Sequence, residues 1–182
     1  MVHNIVKTSE TTHGMFTHRP FYEWLVGVLP EGGRVVEVGV FYGKSIIYLA
    51  QEGPGLEVYG VDNFCFGQMP YQEEGVSGDV DFYEACLKNL FEAGVGSKVT
   101  LISLPSVRAA GLFEDASLDC VFLDAQHSEE AVTEDIIAWR PKVRPGGILS
   151  GDDYIQPWGV IPAVDKLVPE KLLMGQAWYA TT

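Results

Sequence analysis

The sequence predicts an α/β domain: a doubly wound, mostly parallel sheet with a short antiparallel hairpin at its C-terminal end. Two observations carry this. From Arg34 onward, short apolar runs rich in β-branched residues alternate with stretches of helical periodicity, the pattern of βαβ units whose strands are covered on both faces. The first run opens into a glycine turn, Gly39 to Gly43, at the kind of strand-to-helix junction where such sheets bind ligands. A length of 182 residues suits one core, and 47% hydrophobic with 20% charged residues is ordinary globular balance.

In chain order, residues 1–18 show no periodicity and carry His3, His13 and His18, so they are expected to form a loose N-terminal arm, the alternative being a flap that covers the substrate, ahead of a single domain over 19–182. Pro20 suits a first helical turn, and Phe21, Trp24, Leu25 and Val28 recur at helical spacing until Pro30 and Gly32-Gly33. Strands are predicted at 35–38, 56–61, 99–102, 120–123 and 147–149, with helices near 43–52, 79–93, 106–113 and 128–140 between them. Lys171 to Met174 and Ala177 to Ala180 predict the hairpin, turning at Gly175-Gln176. Both of its strands are brief, so the far edge of the sheet is expected to take a partner chain, as in a homo-oligomer. Phe64 to Gly78, rich in Phe, Tyr, Met and Gly, is either a roof over an acceptor pocket or an ordinary surface loop.

Twenty-five acidic residues against twelve basic ones give a formal charge of -13, a field that repels polyphosphate backbones and argues against nucleic-acid substrates. Cys65, Cys86 and Cys120 are widely spaced, odd in number and without a metal-ligand pattern, and are read as reduced thiols. With no apolar leader and no apolar run of membrane-spanning length, the expectation is a cytoplasmic protein without membrane contact.

The turn Glu37-Val38-Gly39-Val40-Phe41-Tyr42-Gly43-Lys44-Ser45 lacks the second glycine of a dinucleotide site, because Phe41 stands where backbone amides would approach a pyrophosphate. A phosphate loop is excluded too, since no glycine lies five residues before Gly43. The spacing resembles motif I of the class I S-adenosylmethionine-dependent methyltransferases, an acid-x-Gly-x-x-x-Gly turn that cradles the methionine end of the cofactor. Glu37, Gly39 and Gly43 match it, although a generic strand-to-helix turn reads the same way. Asp62 ends the second strand about 20 residues beyond the turn, where an acid in folds of this type accepts the ribose hydroxyls; its other reading is a turn former or helix cap.

Asp124 ends the fourth strand, and Asp152 and Asp153 follow the fifth. Those strands are neighbours in the centre of a doubly wound sheet, so three carboxylates should meet at one edge. Their repulsion calls for raised pKa values or for a hard divalent cation such as magnesium. The competing reading makes Asp152 and Asp153 turn residues before Pro157. His127 stands in the loop before Ser128-Glu129-Glu130, a helix N-cap with acids in its first turn. It is either a general base beside a metal-bound hydroxyl or a solvent-facing loop histidine.

The stretches Ser117 to Ser128 and Pro145 to Tyr154 resemble signature segments of methyltransferase family 24, with similarity over residues 20–180. This class I group is related to the macrolide-sugar O-methyltransferases and, more distantly, to the catechol type. The resemblance implies S-adenosylmethionine as cofactor and O-methylation of a small-molecule hydroxyl of sugar or natural-product type. It also implies Asp124, Asp152 and Asp153 as ligands of Mg2+ or another divalent cation, as in the metal-dependent members, and His127 as their base. One departure is Leu104-Pro105-Ser106 in place of an Asp-Ser pair after the third strand, which leaves Ser106 as the adenine contact. Three rival readings are a nicotinamide-dependent oxidoreductase, a catalytically silent Rossmann-like binding domain and a metal-dependent hydrolase.

Overall fold

The computed structural model describes residues 7–65, 80–155 and 159–182. Along the chain run α1 (Arg19–Val28), β1 (Arg34–Val38), α2 (Lys44–Glu52), β2 (Glu57–Asp62), α3 (Phe82–Glu92), β3 (Val99–Ser103), α4 (Ser106–Ala110) and β4 (Leu118–Leu123). They are followed by α5 (Glu129–Trp139), β5 (Val143–Gly151), α6 (Val160–Leu167), β6 (Leu172–Met174) and β7 (Ala177–Thr181). The seven strands form one sheet in the order β3-β2-β1-β4-β5-β7-β6. β1 to β5 pair in parallel, whereas β7 runs antiparallel to β5 and β6 antiparallel to β7. The strand order reverses between β1 and β4, and that reversal opens a crevice at the C-terminal ends of both strands.

Alternation along each strand divides the core between the two faces. Val36, Val38, Val121, Leu123 and Leu149 join Ile136 and Trp139 of α5 and Ala163 and Val164 of α6 in one cluster. Val35, Val58, Cys120 and Phe122 point the other way, into Phe21, Tyr22 and Leu25 of α1, Ile46, Ile47 and Leu49 of α2, and Leu90 of α3. Glu37 shares the second face, where a carboxylate between apolar residues needs partners of its own.

The structure departs from expectation in several places. Lys7 to His18 is tethered rather than loose: the Lys7 amide donates to the Glu92 carbonyl over 3.2 Å, Lys44 Nζ donates to the Gly14 carbonyl over 2.9 Å, and Phe16 packs on Tyr22 and Tyr48. β5 begins at Val143, ahead of Pro145-Gly146, because its pairing with β4 shifts register between Leu118 and Cys120 and absorbs that pair as an irregularity. Helix α4 stops at Ala110, short of the predicted residue 113. Helix α6 was not foreseen; Pro162 interrupts its apolar pattern but falls in the first turn, where an amide has no intrahelical acceptor. Only Phe64 and Cys65 of the 64–78 segment belong to the described residues, and Pro157 lies outside them too. Among the described residues, no helix is long and apolar enough to cross a membrane.

Candidate active site

The glycine turn closes on its neighbours through bare backbone. Gly39 adopts φ +95°, its amide donates to the Val61 carbonyl over 2.8 Å, and a Cβ on it would stand 1.9 Å from the Asp124 carbonyl oxygen. No side chain fits there. Gly43 caps α2 in the left-handed conformation at φ +85°. Between them Phe41 is also left-handed, at φ +52°, and stacks on Phe82.

Asp62 lies at the end of β2 as expected, and it holds this turn. Its Oδ2 accepts the amides of Val40 and Phe41 over 2.8 and 2.9 Å, and its Oδ1 accepts the Phe64 amide over 2.8 Å. A carboxylate offers about four lone-pair positions, so these bonds leave room for a ribose hydroxyl. The same bonds count against the nicotinamide reading, because the amides a pyrophosphate would need are already taken.

The side chains of Glu37 and Ser106 are engaged by groups of the protein itself. Glu37 is 0% exposed; Tyr22 Oη donates to its Oε2 over 2.9 Å and Ser45 Oγ to its Oε1. Burial pushes its pKa up to about 7. It therefore anchors α1 and α2 behind the turn. Ser106 opens α4, but its Oγ accepts from Trp139 Nε1 over 2.9 Å and bonds the buried Asp135, which turns it toward α5.

The acids come together at the crevice. Asp124 follows β4, and Asp152 and Asp153 follow β5, with Asp153 in the left-handed region at φ +56°. Such a backbone costs on the order of 1 kcal/mol or more for a residue other than glycine. His127 Nε2 lies 3.0 Å from Asp153 Oδ2 and 3.5 Å from Asp124 Oδ1. The loop carrying it is clamped by α6, since the Gly159 amide donates to the His127 carbonyl over 2.9 Å and a Cβ at Gly159 would reach within 2.1 Å of the Glu129 nitrogen.

His18, placed by its sequence in the arm, belongs to this cluster. It is 3% exposed, with Nδ1 2.9 Å from Asp152 Oδ2 and 3.8 Å from Asp124 Oδ2. Thr17 Oγ1 donates to the same Asp152 oxygen over 2.6 Å. The ligand atoms thus form two triads that share Asp124, one with His18 and Asp152 and one with His127 and Asp153, each closed within 4.8 Å. Burial raises the pKa of Asp124 and of Asp153. Burial also acts upward on Asp152, but its bond from His18 prevails and holds it low. The bond to Asp124 raises His127, and His18 is raised as well, its burial outweighed by Asp152 and the other acids around it.

A family profile described as a methyltransferase domain matches residues 36–154, which is most of the chain. The chain belongs to this methyltransferase family. Solved structures with the same fold include an S-adenosylmethionine-dependent O-methyltransferase from Thermotoga maritima, at TM-score 0.67 and 16% identity over 93% of this chain and 67% of that one. An O-methyltransferase from Bacillus cereus in complex with S-adenosylhomocysteine gives 0.64 and 14%, over 94% and 83%. A Clostridium thermocellum protein provisionally named an rRNA methylase gives 0.65 and 14%, over 92% and 96%. Among curated protein sequences, none matches this chain.

As an S-adenosylmethionine-dependent methyltransferase, the enzyme has a turn that suits its cofactor: Gly39 keeps the strand end bare, and Asp62 retains capacity for the ribose. The acidic edge suits a divalent cation in its donor chemistry, with hard carboxylate oxygens at its centre, and Asp152 Oδ1 is buried without a hydrogen-bond partner. Of the residues singled out in the sequence, Gly39, Gly43, Asp62, Asp124, His127, Asp152 and Asp153 converge on one sheet edge. Thr17 and His18 were missed, because nothing near them in the chain signals a partner 134 residues away.

Proposed function

We propose that the methyltransferase moves the methyl group of S-adenosylmethionine onto the hydroxyl oxygen of a small molecule in the cytoplasm. His127 would act as general base, with a divalent cation on Asp124, Asp152 and Asp153. The observation that supports this most is the placement of His127: its Nε2 lies 3.0 Å from Asp153 and 3.5 Å from Asp124, at the edge shared with the glycine turn. The sulfonium is already a good leaving group, so the protein's task is to align an oxygen and take its proton. A bound cation would supply Lewis acidity to the acceptor hydroxyl. His127, held by two carboxylates, is the group placed to accept the proton. The charge of -13 favours a small acceptor over a polyphosphate chain.

The test is transfer of labelled methyl groups to a panel of hydroxylated small molecules, before and after chelation. Loss of transfer with EDTA and recovery with Mg2+ or Mn2+ supports the reading. Full activity in chelator on a genuine acceptor removes the cation from it, and labelling of RNA in place of every small molecule removes the acceptor class.

A further inference from the structure

We infer that Thr17 and His18 are positioning residues for Asp152: together they grip one of its oxygens and leave the other directed to a cation. The inference rests on the metal-assisted reading above and adds to it a contribution from the N-terminal segment.

Asp152 uses its two oxygens unequally. Oδ2 receives Thr17 Oγ1 over 2.6 Å and His18 Nδ1 over 2.9 Å, whereas Oδ1 is buried and has no hydrogen-bond partner. A buried carboxylate oxygen without a partner is costly unless something occupies it, and a cation is the partner that an anionic oxygen would take on a residue grouped with Asp124. Two donors on Oδ2 fix the carboxylate plane and so aim Oδ1. Partners of this kind behind a ligating group set its orientation and basicity.

The grip is rigid because the imidazole is caged. Its ring centroid lies 4.4 Å from that of Phe122 on β4, 4.7 Å from Tyr22 on α1 and 5.0 Å from Phe16. Those rings belong to the core, so His18 cannot rotate away without disturbing it. With Nδ1 bonded to Asp152 Oδ2, His18 is assigned to holding that carboxylate, although its buried Nε2 has no hydrogen-bond partner among the described residues and the ring is grouped with Asp124 and Asp152; the variants below separate the two roles. Loss of its side chain frees Asp152 to rotate, and loss of the Thr17 hydroxyl removes the second constraint.

The experiment is Mn2+ titration, followed by the electron paramagnetic resonance of the free ion, into wild type, His18→Ala, His18→Asn and Thr17→Val, each saturated with S-adenosylhomocysteine. Asn is chosen because its side-chain NH2 replaces the Nδ1 donor. His18→Ala is expected to weaken Mn2+ binding about 10- to 100-fold, and Thr17→Val to weaken it by less. His18→Asn is expected to recover most of the loss. Affinity for S-adenosylhomocysteine should be unchanged in all three, which shows that the variants are folded. Wild-type Mn2+ affinity in both His18→Ala and Thr17→Val would overturn the inference alone. A loss in His18→Ala that Asn does not repair would overturn it in favour of direct ligation by the imidazole. Wild type that takes up no Mn2+ would overturn it together with the metal-assisted reading.

Discussion

A Cβ at Gly39 would stand 1.9 Å from the carbonyl oxygen of Asp124, so the cofactor turn and the acidic edge meet through backbone alone. The Asp124 amide also donates to the Val38 carbonyl over 2.7 Å, which locks the ends of β1 and β4 together. Gly39→Ala must push the two apart and also place a side chain at positive φ. It should lower stability by about 1 to 3 kcal/mol and weaken S-adenosylhomocysteine and Mn2+ binding together. Thermal melting and calorimetry check this; a folded variant with wild-type affinity for both would refute the coupling.

Asp62 binds three backbone amides. Asp62→Ala should therefore cost both the ribose contact and the shape of the turn, each charge-assisted bond being about 1.5 to 3 kcal/mol. Asp62→Asn retains one acceptor oxygen and should fall between wild type and Ala in affinity for S-adenosylhomocysteine. Equal affinity in all three proteins would move the ribose site elsewhere.

Glu37 makes stability depend on pH. Its folded value of about 7 stands above the ordinary 4.5, so the folded state keeps this proton longer than the unfolded chain does. The contribution is complete below about pH 4.5 and is lost as pH rises toward 7, a fall of about 3 kcal/mol from this group alone. Glu37→Gln, neutral at every pH and able to keep Tyr22 and Ser45 as partners, should flatten the melting temperature across that window. A variant whose pH profile parallels wild type would place the proton elsewhere.

His127→Ala should lower kcat by roughly 100- to 10,000-fold while leaving affinity for S-adenosylhomocysteine intact, because the residue belongs to a loop and not to the core. Single-turnover kinetics separate the two. Unchanged chemistry in this variant would leave deprotonation to the cation or to solvent.

The alternation of strands and helices was legible because parallel strands covered on both faces write nearly continuous apolar runs, as in Cys120 to Leu123. Helix α5 was legible from its cap, and Ser128 Oγ does accept the Ala131 amide over 3.3 Å. That Asp124, Asp152 and Asp153 stand at one sheet edge followed from topology; their division into two sets around Asp124, each with a histidine, did not. Other contacts were hidden because packing decides them. Ser106 turns inward because Trp139 donates to it, and Glu37 is enclosed because Tyr22 reaches across from α1. His18 follows from neither periodicity nor motif, since its ring is fixed by residues from three separate segments.

The bond between Thr17 and Asp152 spans 135 residues of chain. A ribosome adding about 5 to 20 residues per second exposes the threonine on the order of ten seconds before its acceptor exists. Through that interval the nascent segment has no carboxylate to dock on, and contacts so distant in sequence form slowly in any refolding experiment. Competence of the acidic edge is thus expected to trail the appearance of secondary structure, with Mn2+ uptake lagging the recovery of the far-ultraviolet dichroism.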